Sequence, residues 1–233
     1  MSKLINILSL ESKAPQQNVE TEAVIFAKVM NPEGLGEAIY KEHHEQLEAD
    51  MGAKGRCRVR KVTTDEDVKY EFVIKTPNGQ VGAGLKSSIE TVPVLVDEIF
   101  FEAFRKVAKK MLRKTRFVFD GKVTSAGVGY SRSAPPPGVK YEVDIFETQQ
   151  GKMSEWCKID VELDKLLEFM NSPETLTNDN RQVKLTFKVS HLPFKPTEGF
   201  ITSQATPEQK ALLDELWDKQ FNLPVDYISK LQQ

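Results

Sequence analysis

The chain of 233 residues carries 32 Lys and Arg against 34 Asp and Glu, a net charge of −2, with two cysteines. That length suffices to bury a sizeable core, and the near-neutral balance excludes a global field that would recruit nucleic acid or an anionic membrane, so an anion site must be a local concentration of bases. No stretch approaches the roughly 20 apolar residues of a membrane span, the start MSKLINILSLESK lacks a signal peptide's basic opening and long apolar run, and Cys57 and Cys157 fall on apolar parities that suit free buried thiols, so the expectation is a cytoplasmic protein.

In chain order, residues 1–17 read as a loosely held arm. NVETEAVIFAKV (18–29) reads as a strand with Glu20, Glu22, Val24, Phe26 and Lys28 on one face, ended by Asn31-Pro32. From Glu33 to Met51, Leu35, Ile39 and Leu47 recur at helical spacing among charges, which predicts a surface helix and places His43-His44 in solvent. GRCRVRKV (55–62) alternates Arg56, Arg58 and Arg60 with Cys57 and Val59, and a TTDED turn leads to VKYEFVIKTP (68–77), where Lys69, Glu71 and Lys75 oppose Tyr70, Phe72 and Ile74. Pro77-Asn78-Gly79 predicts a hairpin turn into a return strand over 80–92. Val96, Phe100, Phe104, Val107 and Met111 predict the main core helix over 94–112, with bases gathered at its C-terminal end. KTRFVFDGKV (114–123) is the next strand, and the SRSAPPPG loop (131–138) leads to YEVDIFETQQGKMSEWCKIDVELD (141–164). A short helical piece near 166–170, a strand over 181–189 and a helix opened by the capping box Thr206-Pro207-Glu208-Gln209 and running through Leu213, Leu216 and Trp217 complete the chain.

The stretch 141–164 is the informative one. Successive side chains of a strand point to opposite faces, so Glu142 and Asp144 share one face and Val143 and Ile145 the other, and Asp160 and Glu162 repeat the pattern against Ile159 and Val161. A carboxylate row on neighbouring strands repels itself unless cations face it. The all-basic parity of Arg56, Arg58 and Arg60 supplies the opposite sign. Three readings of this segregation stand open: solvated faces of open sheets, a network of buried ion pairs, which rarely repay their desolvation, or a cavity for a charged ligand. In the third, carboxylates offer the oxygen ligands that Mg²⁺ or Mn²⁺ prefer, while Arg and Lys match phosphate oxygens. About eight strands in mostly antiparallel order predict an α+β protein built on an antiparallel eight-stranded closed β-barrel with flanking helices, wide enough to hold a small ligand.

These residues, in this order, resemble the CYTH superfamily, the triphosphate tunnel metalloenzymes, over about residues 18–190. Glu20 and Glu22 are similar to the opening Glu-x-Glu-x-Lys of the family, with Val24 in place of its Lys; Arg58-Val59-Arg60 resembles its Arg-x-Arg strand, Phe72 to Lys75 the strand that ends in an inward Lys, and Lys114-Thr115-Arg116 its basic pair. The most specific match pairs Glu142, Asp144 and Phe146 with Asp160 and Glu162, where Asp160 replaces a usual Glu.

The resemblance implies a charged tunnel domain over 18–192 and leaves 193–233 as a helical C-terminal extension packed on the barrel. It implies metal-dependent hydrolysis of a triphosphate, inorganic, nucleoside or RNA 5′-linked. Glu20, Glu22, Glu142, Asp144, Asp160 and Glu162 would hold Mg²⁺ or Mn²⁺, and Arg58, Arg60, Lys75, Lys114 and Arg116 would grip the phosphates. Glu162, Glu142 and Arg116 carry the catalytic expectation. The alternatives are a catalytically silent binder of nucleotides or polyphosphates, and an adenylyl cyclase. The expected partner is a small triphosphate or nucleotide, with no membrane and no sequence-specific nucleic acid, since no aromatic-basic strand motif occurs; a homodimer is compatible with the sequence.

Overall fold

A computed structural model of the chain describes residues 17–29, 38, 40–81, 85–120, 140–162 and 197–225. Ten strands lie among them: β1 (Gln17–Lys28), β2 (Tyr40–Asp50), β3 (Arg56–Thr63), β4 (Val68–Val81), β5 (Leu85–Thr91), β6 (Val94–Val96), β7 (Lys110–Asp120), β8 (Lys140–Glu147), β9 (Met153–Glu162) and β10 (Glu198–Ile201). The helices are α1 (Glu98–Arg105) and α2 (Pro207–Glu215), the latter continued by a π-helical turn over Leu216–Phe221. The fold is α+β and rich in antiparallel sheet. The strands follow the order β10-β1-β5-β4-β3-β2-β7-β8-β9, with β6 beside β4. Strand β1 pairs along 17–22 with β5 and along 22–28 with β9.

Two expected helices are corrected. Residues 40–50 are the strand β2, hydrogen-bonded on one edge to β3 and on the other to β7. The spacing of Leu35, Ile39 and Leu47 is by multiples of four, which also keeps one strand parity, so apolar periodicity alone does not separate the two states here. The expected helix over 94–112 shrinks to α1: Val94–Val96 pair with β4, and from Lys110 the chain is β7. Asp97 caps α1 by accepting from the Phe100 backbone N–H at 2.8 Å. The expected turn at Pro77-Asn78-Gly79 is a register shift inside β4, which runs on to Val81. The polar turn before β4, the acidic hairpin β8–β9 and the capping box of α2 lie where the sequence places them. Residues 1–16 of the arm, the loop 131–138, the helical piece near 166–170 and the strand over 181–189 lie outside the described residues, and Gln17 opens β1.

Apolar side chains pack on both faces of the sheet. On the odd-numbered parity, Ile25, Ala27, Phe117, Phe119, Val143, Ile145, Cys157 and Ile159 form one cluster; Leu47, Val59 and Met111 form another beneath Phe101 of α1. Both cysteines are free thiols, and burial pushes that of Cys157 up to about 12. A third cluster lies on the even parity at one end of the sheet. There Val24, Phe26, Leu112 and Phe146 meet Leu216, Trp217 and Phe221, with the Phe146 and Phe221 rings stacked at 4.6 Å. Residues 198–225 are therefore tied to the sheet by β10 along β1, by this cluster and by the backbone bridge of Leu223 to Met111.

Candidate functional site

Directly opposed residues of an antiparallel ladder share a face, so the register assembles the charged parity strand by strand. The pairs Arg56↔Lys75 and Arg60↔Glu71 join β3 to β4, and Glu48↔Arg58 and Gln46↔Arg60 join β2 to β3. His44↔Lys114 and Glu42↔Arg116 join β2 to β7, Arg116↔Asp144 joins β7 to β8, and Glu142↔Asp160 and Asp144↔Lys158 join β8 to β9. Glu22↔Glu162 joins β9 to β1, and Glu20 stands opposite Ser88 of β5. Every sequence-predicted site position thus falls on one face. The side chains of Glu20, Glu22 and Glu162 lie outside the described residues.

Asp144 is the centre of this face. It is fully buried, and it accepts from Arg116 Nε at 2.7 Å and Nη2 at 2.9 Å and from Lys114 Nζ at 2.5 Å. Burial opposes ionisation of its carboxyl, but the Arg116 and Lys114 cations outweigh it and hold the group well below the usual carboxylate range. Lys114 pays the reverse: burial and the neighbouring Arg116 guanidinium push it down to about 7. Arg116 also pairs with Glu142, whose carboxyl is raised by burial and by the nearby charges of Asp144 and Asp160 despite Arg116. Lys158 Nζ reaches Asp160 Oδ2 at 2.5 Å.

A second set lies across β3, β4 and β5. Lys75 pairs with Glu90 at 2.6 Å and Arg58 with the same carboxylate at 3.4 Å, while Arg60 meets Glu71 at 2.7 Å and Lys69 meets it at 3.1 Å. Burial and the adjacent Arg60 lower the Arg58 guanidinium from its ordinary value.

This pairing is incomplete. The described residues hold six buried side-chain polar atoms without a hydrogen-bond partner, and five of them belong to this face: His44 Nδ1, Gln46 Oε1, Arg58 Nε, Arg60 Nε and Asp160 Oδ1. A buried polar group left unpaired costs about 1–3 kcal/mol, so a purely structural network would not concentrate them here. Among the described residues no group of three or more His, Cys, Asp or Glu side chains is placed to hold a metal ion; Glu142 and Asp160 oppose each other across β8–β9, Asp160 Oδ1 has no partner, and burial, then the charges of Asp144 and Asp160, raises Glu142 although Arg116 pairs with it. Both oxygens of Asp144 already accept from Arg116 and Lys114.

Several participants were not foreseen from sequence. His44 is buried on the charged face, not in solvent on a helix, and only His43 points to the opposite side, where its Nδ1 meets Thr115 Oγ1 at 3.0 Å. The signal was the alternation Glu42, His44, Gln46, Glu48 within 40–50, masked by the charges of Lys41, His43 and Glu45 on the other parity. Glu90 and Lys158 lay at the parity of known candidates. Val24, where a Lys was expected, is buried in the apolar cluster and stands opposite Asp160, whose cation comes from Lys158. A cavity of about 400 Å³ opens on the opposite face of the same strands, lined by His43, Glu45, Arg113, Thr115 and Glu147 among others, and so lies away from the charged face.

No family model matches the chain, and no curated protein matches it. Among solved structures it is similar to the PH1819 protein from Pyrococcus horikoshii OT3, at 18% identity over 66% of this chain and 86% of that one, with a TM-score of 0.39.

Proposed function

We propose that the charged face is the site of metal-assisted hydrolysis of a triphosphate, inside a tunnel formed by eight strands. The pairing of β1 with both β5 and β9 supports such a tunnel, because it links the two ends of the run β5-β4-β3-β2-β7-β8-β9. The observation that carries the functional reading is the set of unpartnered buried atoms on this face, two guanidinium Nε donors on the basic side and a carboxylate oxygen on the acidic side. A polyanion and a divalent cation complement those two sets.

In this reading Arg58, Arg60, Lys75, Lys114 and Arg116 take the phosphate oxygens, which replace Glu90 and Glu71 as partners and bring more negative charge than those carboxylates do. Asp144 fixes the directions of Lys114 and Arg116, so the charge they present to the transferred phosphorus is preorganised. Glu142 and Asp160, with the backbone-opposed Glu22 and Glu162, hold Mg²⁺ or Mn²⁺. When bound, the metal neutralises phosphate charge and polarises the reacting oxygens. The apolar cluster of Leu216, Trp217 and Phe221 covers one end of the face, which favours a short chain entering from the other end.

A second reading, a silent binder of nucleotides or polyphosphates, is favoured by Val24, since that position contributes an apolar contact where the resembled family has a cation. Phosphate release from tripolyphosphate, ATP, thiamine triphosphate and 5′-triphosphate RNA, with Mg²⁺ or Mn²⁺, separates the two. Hydrolysis predicts metal-dependent release from at least one substrate, a fall of about a hundredfold or more in Glu162→Gln with affinity kept, and a raised KM in Arg58→Ala. Tight binding without release from any of the four selects the binder.

A further inference from the structure

His44 is a buried titratable group on this face that the phosphate and metal contacts leave unused. Its side chain is 1% exposed. Its Nε2 lies 2.8 Å from Glu42 Oε2, and its Nδ1 is buried with no partner. The Glu42 carboxyl is lowered, first by this hydrogen bond, so it is ionised and accepts only. Nε2 must therefore carry the proton. Burial pushes the imidazole down to about 4, so near neutral pH the ring is uncharged and Nδ1 presents a bare lone pair.

Charged groups surround the ring from each neighbouring strand: Glu42 stands on its own strand, Lys114 and Arg116 on β7, Asp144 beyond them on β8, Arg60 on β3, and Lys69 and Glu71 on β4, Lys69 in the cross-strand row of His44 and Val62. Lys114 Nζ bonds Asp144, Arg60 Nη2 and Lys69 Nζ meet Glu71, and Arg60 Nε bonds nothing, so none of them supplies Nδ1 with a donor. A buried acceptor set among cations that hold phosphate calls for a neutral donor from the ligand side, and for a hydrolase that donor is water.

We propose, resting on the hydrolase reading above, that His44 Nδ1 is the general base for the water that attacks phosphorus, and that Glu42 is its positioning residue. In the step, the water O–H bond breaks and its proton passes to Nδ1, while the water oxygen forms a new bond to the terminal phosphorus. The bridging P–O bond breaks, and its electron pair leaves with the shortened phosphate chain. The resulting imidazolium keeps its Nε2–H bond to the Glu42 carboxylate, which offsets its charge, and it returns the proton to the departing phosphate or to solvent. The cations Lys114 and Arg116, which weaken the base in the free protein, are neutralised by the bound polyanion. Substrate binding thereby removes the part of the lowering that the two cations add to that of burial.

The test is the pH–rate profile of phosphate release from whichever of the four substrates is turned over, in wild type, His44→Asn and Glu42→Gln, together with ¹⁵N NMR of histidine-labelled protein. Wild type should show an acidic limb in kcat. His44→Asn keeps an acceptor for the water but takes no proton; its kcat should fall about a hundredfold or more with KM little changed, and the acidic limb should vanish. Glu42→Gln should fall between the two. The NMR signal lost in His44→Asn should report an unprotonated Nδ1 at neutral pH. A His44→Asn protein that retains its rate and its acidic limb overturns the proposal while leaving the hydrolase reading intact, and an Nδ1-protonated ring also overturns it. Absence of phosphate release from every substrate in wild type overturns both.

Discussion

At the scale of single residues, Asp144 shows how a ligand-binding face can be held together before any ligand arrives. Its two oxygens carry a bidentate arginine and a lysine, all inside the protein. Removing one member of such a set is harsher than never having built it, because the partners remain buried and charged. Asp144→Asn is expected to lower unfolding stability by about 3–5 kcal/mol in denaturant titrations, far more than Glu155→Gln at the exposed pair with Lys28. His44 adds a pH dependence of known sign. Its folded value near 4 lies below the ordinary 6.5, so between these values the unfolded chain binds the extra proton, and stability is lost as pH falls through this window. The loss is on the order of 3 kcal/mol at most, and His44→Asn should flatten it in unfolding measured from about pH 7 to about pH 4.5. The residues named from sequence on β8 and β9 were legible because acids alternate with Val and Ile there and nothing else competes for that pattern. His44 was not, because β2 is polar on both parities and its register is set by β3 and β7, strands distant in sequence.

At the scale of elements, two positions decide whether the charged strands stay in register. Gly55 enters β3 with φ of 106°, and a Cβ there would lie 2.2 Å from the Lys75 carbonyl oxygen. Only glycine accepts both demands, and the close approach sets the alignment that opposes Arg56 to Lys75. Gly55→Ala should therefore cost more than about 2 kcal/mol and weaken triphosphate binding, read by thermal unfolding and by titration. At the far end, Phe221 is fully buried between Phe146 and Trp217. Phe221→Ala should cost about 3–5 kcal/mol in the same unfolding assay. The helix α2 was readable because its cap is local, Thr206 bonding the Gln209 backbone and Gln209 bonding back. The lengths of α1 and β7 were not, because Phe104, Val107 and Met111 are four or fewer residues apart, a spacing that serves both a helix stripe and a turn followed by a strand. What ends α1 is the backbone pairing of the segment from Lys110 with β2 and β8, an interaction that no local pattern encodes.

At the scale of the whole molecule, one face gathers bases from β3, β4, β7 and β9 and acids from β8, β9 and β1, although the chain is close to neutral overall. The alternation made this segregation legible, while the internal partners Glu71, Glu90 and Lys158 were visible as residues but not as competitors for the same cations. Whether the face is a site or only a network is decided most directly by the thermal unfolding of wild type with tripolyphosphate alone, with Mg²⁺ alone, and with both. A joint site predicts that metal alone shifts the Tm little, because carboxylate oxygens complete its shell poorly without phosphate, and that both together raise it by much more than the sum of the separate shifts. Separate shifts that merely add, or none at all, would contradict the account.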